Sequence, residues 1–158
     1  MANNDSRRGG FQIRLLMIGE GPLEDRLRVL AEEERVQVEW TPVVSNSDLP
    51  RILERAKVFA LVSLYEGHPK VLLEAMAMGM AVVGSRIRGT VEEIEDGFSG
   101  VLCDVDPESI ADSLLRTVGS PRTCSELGLR AREHVVSRYA LQHVVELECD
   151  LLERTTNL

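Results

Sequence analysis

Residues 58–84 read VFALVSLYEGHPKVLLEAMAMGMAVVG, and the order of their apolar runs and breaks decides the fold. The run 58–62, VFALV, is continuous and apolar, as expected of a parallel strand covered on both faces. A loop over 63–69 follows, carrying Gly67 and Pro69. The stretch 69–78 has the pattern of a helix and stops at Gly79, and 81–83 forms another buried strand that ends at Gly84. Strand, loop, helix and strand in this order make the repeating unit of a parallel α/β sheet.

The same alternation extends outward. Residues 11–18 are rich in branched apolar side chains and end at Gly19-Glu20-Gly21-Pro22, which predicts a strand, a glycine turn and a proline in the first turn of a helix. Leu23, Leu27, Leu30 and Ala31 then recur at helical spacing. A short strand is expected over 36–40, and Asp48 stands where it can cap a helix over 49–56, with Pro50 in its first turn. Downstream, 90–95 reads as a short helix stopped by Asp96-Gly97, 101–103 as a last short strand, and Pro107 opens a helix to about 118. Two more helical stretches follow, near 121–137 and 141–153. The expected fold is α/β, a doubly wound, Rossmann-like parallel sheet with C-terminal helices. Ligands of such sheets bind outside the carboxyl ends of the strands, which selects the loops 19–22, 41–48, 63–69 and 84–90.

Composition bounds the function. The chain of 158 residues is sized for one domain, expected over 11–158 behind a disordered leader at 1–10. It is 44% hydrophobic and 28% charged, an ordinary globular balance, and carries a net charge of −8 with no basic stripe, which disfavours nucleic acid as a partner. Cys103, Cys124 and Cys149 are odd in number and widely spaced, and neither they nor His68, His134 and His143 form a metal-binding pattern. Reduced thiols in the cytoplasm fit better than disulfides. The polar start MANNDSRRGG does not read as a signal peptide, and no apolar run reaches the ~20 residues of a membrane helix.

Of the four loops, 63–69 carries the clearest chemistry. The first turn of the helix it enters has backbone N–H groups, those of Lys70 and Val71, able to receive a phosphate with help from the helix dipole. Gly67 would let a ligand approach the backbone, and Pro69 would fix the first turn. Lys70 either adds a point charge or is simply solvated. Val71, Leu72, Leu73, Ala75 and Met76 make the helix apolar nearly all round, so only the stripe of Lys70 and Glu74 stays polar. Two readings of Glu74 are open: an ion pair with Lys70, worth a few tenths of a kcal/mol at most as an (i, i+4) pair in that order, or a carboxylate accepting the two hydroxyls of a ribose.

The run 61–84, with Glu66 and Glu74 separated by seven residues and followed by Ala75-Met76-Ala77 and Gly79, resembles the signature of the glycosyltransferase group 1 family. The resemblance continues through Gly19-Glu20-Gly21-Pro22-Leu23 and from Gly89-Thr90-Val91-Glu92 to Leu102, covering roughly 12–138. It implies one half of a two-domain GT-B fold, the C-terminal domain that binds a nucleotide sugar, in a retaining hexosyltransferase. It also implies roles: Glu66 beside the transferred sugar as the catalytic residue, Glu74 on the ribose, and Gly67, His68, Pro69, Lys70 and Val71 against the donor. The donor is a nucleoside diphosphate sugar, with no cofactor and no metal expected.

His68 replaces the bulky apolar residue usual in the family, either bonding to the donor or filling space. Arg86 and Arg88 follow a strand end but read better as solvated loop arginines, Glu92 as a residue that caps or opens its helix while Gly89 permits the turn, and Trp40 as core. The acceptor domain, the first strand of this domain and the family's paired arginine and lysine have no counterpart in the sequence, since Arg7 and Arg8 lack the matching context. The chain alone is therefore expected to bind nucleotide weakly and turn over little. Leu141, Val144, Val145, Leu147, Leu151 and Leu152 give the last helix excess apolar surface, for a separate acceptor domain or for self-association. A non-catalytic nucleotide-sugar-binding fragment and a GT-B epimerase are the alternatives. A flavodoxin-like signalling domain ranks low, because the first strand end offers one acid, Glu20, and no aspartate.

Overall fold

A computed structural model describes residues 13–156. The expected leader at 1–10 with Arg7 and Arg8, and the first residues of the expected opening strand, Phe11 and Gln12, lie outside the described residues. The chain divides into two compact units, residues 1–56 and 57–158. The strands form two parallel sheets, one in each unit, where the sequence reading expects one.

The first unit contains β1 (Leu15–Ile18), α1 (Glu24–Glu33), β2 (Val38–Thr41) and α2 (Leu49–Leu53). β1 and β2 run parallel with Leu15 opposite Val38 and Met17 opposite Trp40. Gly19 leaves β1 at φ 121° and its N–H bonds the Thr41 carbonyl at 3.0 Å, so this turn does require glycine. α1 begins two residues beyond Pro22, because the Glu24 N–H first closes a turn onto the Gly21 carbonyl at 3.1 Å. At its other end the N–H groups of Arg35 and Val36 return to the carbonyls of Glu32 and Ala31 at 3.1 and 2.8 Å, with Arg35 left-handed at φ 55°. Trp40 is half-buried beneath the Arg28 guanidinium, 4.6 Å from its ring. Asp48 does not cap α2: its own backbone is helical and its carboxylate accepts the Ser45 hydroxyl at 2.6 Å instead. The helix is also shorter than the expected 49–56.

The second unit holds β3 (Val58–Leu61), α3 (Lys70–Ala77), β4 (Ala81–Ser85), α4 (Arg88–Val91), β5 (Val101–Cys103), α5 (Pro107–Val118), α6 (Pro121–Tyr139) and α7 (Leu141–Thr156). The sheet order is β3-β4-β5, all parallel. Every residue of the central strand β4 is buried, whereas β3, at an edge of this sheet, is only half-buried and exposes Ala60; the expectation that 58–62 is covered on both faces does not hold for it.

Helix ends follow the sequence closely where a proline and a cap coincide. Asp106 accepts the N–H groups of Glu108 and Ser109 at 3.0 and 2.9 Å ahead of Pro107, and Ser120 accepts that of Thr123 at 3.2 Å ahead of Pro121. α4 departs from expectation. It is one turn beginning at Arg88 rather than 90, because extended Ile87 is its N-cap and offers its carbonyl to Thr90 and Val91. Glu92 therefore closes this helix instead of opening it.

α3 is the best-buried helix of the unit, with Leu72, Leu73, Ala75 and Met76 inside. It ends on Gly79 at φ 76°, whose N–H bonds the Met76 carbonyl at 2.9 Å while Met80 bonds Ala75 at 3.1 Å. α6 docks against this end. A Cβ on Gly128 would run into the Gly79 carbonyl, and Arg132 donates to the Ala77 carbonyl at 2.8 Å, satisfying a carbonyl the helix leaves open. α7 buries none of its residues and exposes Leu141, Val145, Leu147, Leu151 and Leu152. No helix among the described residues is long and apolar enough to cross a membrane.

Candidate functional site

The loop 63–69 leaves the carboxyl end of β3 and is tied to the end of the neighbouring strand. Ser85, fully buried at the end of β4, donates its hydroxyl to the Ser63 carbonyl at 2.6 Å. The Ser63 hydroxyl in turn donates to Glu66 Oε1 at 2.6 Å. Behind Glu66 stands Gly89, where a Cβ would lie 2.5 Å from the Glu66 carbonyl oxygen. Its role is close approach to the loop and not the turn expected of it, since its backbone is helical. The Glu66 side chain is thus held by Ser63, itself tied to the distant Ser85, and its main chain is packed against the distant Gly89. In the sequence, hydroxyls at two strand ends are the only signal for Ser63 and Ser85.

At the start of α3 the loop closes over Pro69, which is buried and is the N-cap residue at φ −79°, ψ 77°. The Lys70 N–H is not available to a ligand as expected, because it bonds the His68 carbonyl at 2.9 Å. Leu72 and Leu73 both bond the Pro69 carbonyl, at 2.9 and 3.2 Å, leaving the Val71 N–H without a partner among the described residues. Gly67 has neither a left-handed backbone nor a neighbour within reach of a Cβ; nothing in the fold itself asks for glycine there. Lys70 and Glu74 are both exposed and no ion pair joins them, so the ion-pair reading of Glu74 is not realised. Among the described residues its carboxylate has no hydrogen-bonding or ion-pair partner.

His68 sits on a group that sequence reading missed. Its Nδ1 lies 3.9 Å from Glu93 Oε1, and its ring meets Tyr139 edge-on at 6.0 Å between centroids. Glu93 is 4% exposed and accepts the Tyr139 hydroxyl at 2.8 Å on each oxygen. Burial, followed by this bond to a carboxylate, pushes the Tyr139 phenol above its ordinary range.

Arg86 and Arg88 are both engaged with acids. Arg86 bonds Asp96 at 2.8 Å and approaches Asp104 at 3.8 Å; Arg88, largely solvated, meets Glu92 at 3.3 Å. Burial pushes the Asp96 pKa up, but the Leu102 N–H at 2.9 Å and the Arg86 guanidinium outweigh it and hold the carboxyl below its usual range. Of the remaining candidates, His134 Nε2 lies 3.4 Å from Arg138, and all three cysteines are free, with burial raising the thiol pKa of Cys103 and Cys124.

Known proteins share both the sequence and the architecture. The family described as glycosyl transferases group 1 matches residues 6–134. N-acetyl-alpha-D-glucosaminyl L-malate synthase of Bacillus anthracis is 30% identical over 146 residues, which is 84% of this chain and 35% of that protein. The chain thus spans about a third of that relative's length. TarM of S. aureus, solved with fondaparinux, alpha-GlcNAc-glycerol and UDP, is 26% identical with a TM-score of 0.78 over 88% of this chain and 29% of that one. The C-terminal domain of a glycosyl transferase group 1 family protein from Francisella tularensis shares the fold, at 20% identity and a TM-score of 0.74 over 81% of this chain and 70% of that one. With parallel sheets and flanking helices, Glu66 and Glu74 at the loop and helix that follow β3, and a family match across most of its length, the chain belongs to the glycosyl transferases group 1 family.

Proposed function

We propose that residues 57–158 carry the donor site of a retaining GT-B glycosyltransferase, which moves a hexose from a nucleoside diphosphate sugar to an acceptor. One observation carries this reading. Around the start of α3 the fold leaves three groups unused: the open Cα of Gly67, the unbonded N–H of Val71 and the unpaired carboxylate of Glu74. A nucleoside diphosphate sugar would employ all three. Its diphosphate would take the Val71 N–H and the positive end of the helix dipole, with Lys70 as a point charge. Its ribose hydroxyls would donate to Glu74, and Gly67 would admit it close to the backbone beside His68 and Pro69.

Glu66 would lie against the transferred sugar. Its bond from Ser63 fixes the carboxylate before substrate arrives, the condition under which a charge best stabilises a developing oxocarbenium ion. It acts by position and charge, and no covalent intermediate is assigned to it. The departing diphosphate would be stabilised by the helix and basic side chains, so the reading calls for no metal and no cofactor.

The one-third coverage of its relative supports a division of labour. A further domain would supply the acceptor surface and most of the diphosphate counter-charge, and the 158 residues alone would bind nucleotide weakly and transfer little. The exposed apolar residues of α7 would meet that domain or a second copy, and strictly monomeric light scattering at high concentration counts against the copy. The free thiols and the nucleotide-sugar donor fit a cytoplasmic setting. The test is a titration with UDP, GDP and ADP, by calorimetry or NMR, repeated on Glu74→Ala. At least one diphosphate should bind, and more weakly to the variant; equal affinity would remove Glu74 from the ribose, and no binding at all would end the donor-site reading.

A further inference from the structure

Glu93 is a carboxylate with 4% exposure, the one buried acid among the described residues. Burying it without a compensating partner would cost several kcal/mol or drive it to protonate. Its partners are two. The Tyr139 hydroxyl, at the last residue of α6, spans both oxygens at 2.8 Å, and the Nδ1 of His68 stands 3.9 Å from Oε1, at ion-pair range rather than hydrogen-bond range. The Tyr139 ring also meets the imidazole edge-on, closing a three-membered contact among residues 68, 93 and 139.

His68 lies between Gly67 and Pro69 in the loop, its backbone carbonyl held by the Lys70 N–H at 2.9 Å, so its main chain is not free to swing. Its side chain keeps 54% of its surface exposed while one ring nitrogen faces Glu93. An imidazole presents its two nitrogens on different edges, and the group that engages one decides what the other can do. With Nδ1 turned toward a buried carboxylate, Nε2 is the nitrogen left for a ligand.

We propose that Glu93 and Tyr139 are positioning residues for His68: the tyrosine-anchored carboxylate holds Nδ1 inward so that Nε2 is presented to the diphosphate of a bound donor. The proposal rests on the donor-site reading given above and extends it to two residues, one two positions beyond α4 and one at the end of α6. As an imidazolium, with Nδ1–H toward Glu93 and Nε2–H toward the diphosphate, His68 gives the loop a directed donor that complements the Val71 N–H. This pairing also accounts for a costly feature, since a structural clamp between α6 and the 88–95 segment could be made with an apolar pair at no electrostatic cost.

The experiment is a double-mutant cycle on the full 158-residue chain, read by NMR titration with the best-binding diphosphate among UDP, GDP and ADP and with its parent nucleoside. Glu93→Gln keeps the size and an acceptor for Tyr139 but removes the charge, and should weaken diphosphate binding about tenfold, the scale of one charge-assisted hydrogen bond, with little change for the nucleoside. In a His68→Ala background the same substitution should have no further effect. Tyr139→Phe, which retains the ring, should show a smaller loss in the same direction and carries the test if Glu93→Gln does not fold. Equal losses for diphosphate and nucleoside, or an unchanged effect of Glu93→Gln without His68, would show a purely structural clamp and overturn the proposal alone. No binding of any diphosphate by the unchanged chain would overturn the donor-site reading and the proposal with it.

Discussion

The carbonyl oxygen of Glu66 occupies the space where a side chain on residue 89 would begin: a Cβ built on Gly89 would stand 2.5 Å from it and 3.1 Å from the Glu66 Cβ. Real Cβ atoms do not approach backbone that closely, so any side chain at 89 must displace the loop that presents Glu66. Gly89→Ala should therefore lower thermal stability by about 1–3 kcal/mol, the usual range for overpacking. Donor binding should weaken as well, since the displaced atoms belong to the loop. A differential scan together with a nucleotide titration checks both, and an unshifted melting midpoint with unchanged affinity would contradict the arrangement.

Gly128→Ala tests the junction behind α3. The new methyl would collide with the Gly79 carbonyl, and the backbone of a helix end cannot yield as a flexible side chain can. The expected loss is about 3 kcal/mol, at the upper end for overpacking, and a fall in melting temperature of roughly 6–12 °C. Arg132→Ala, which removes one charge-assisted bond to the Ala77 carbonyl at an exposed site, should cost less than Gly128→Ala in the same assay.

Arg35→Gly should do the opposite. Arg35 closes α1 in a left-handed conformation, φ 55°, that disfavours any residue with a Cβ by about 1–2 kcal/mol. Part of the gain is returned because glycine is freer in the unfolded chain, by about 0.4–1 kcal/mol. A net stabilisation of about 0.5–1 kcal/mol should appear in urea unfolding, and a destabilisation would show that other contacts of the Arg35 side chain outweigh the backbone.

Asp96 sets an acid limit. Its folded pKa lies below the ordinary carboxylate value of 3.8 because the Leu102 N–H and Arg86 prevail over burial. A depressed acid contributes stability in full above its unfolded pKa and loses it as pH falls through the folded one. The contribution should be intact at neutral pH and fade below about pH 4. Asp96→Asn should flatten this acid limb of stability against pH and lower stability at neutrality. Parallel curves for the two proteins below pH 4 would refute the linkage.

The strands and main helices were legible because local chemistry specifies them. Pro107 and Pro121, each behind a side chain able to cap, start α5 and α6 where the sequence reading puts them, and Gly79 ends α3 by accepting a conformation other residues resist. The family was legible for a similar reason, its signature around Glu66 and Glu74 being carried on one continuous segment. What sequence could not reveal is contact over long separation. The Ser85 bond to Ser63 spans 22 positions and the Tyr139 bond to Glu93 spans 46, and neither has a period or a spacing to betray it. Asp48 and the Lys70 N–H failed differently. Each is suited by residue type to the expected role, but a nearer partner, Ser45 in one case and the His68 carbonyl in the other, takes the group.

Helix α6 meets the 63–79 segment twice, with Gly128 against the end of α3 and Tyr139 on the carboxylate beside His68. The two points are eleven residues apart along one rod, roughly 16 Å of helix. A single residue inserted between them would rotate Tyr139 by about 100° and carry its hydroxyl off Glu93, whatever residue was added. The length of α6 between these two positions is thus a gauge that the rest of the unit is built to, and substitutions along its exposed face should be tolerated far more readily than any change in its count of residues.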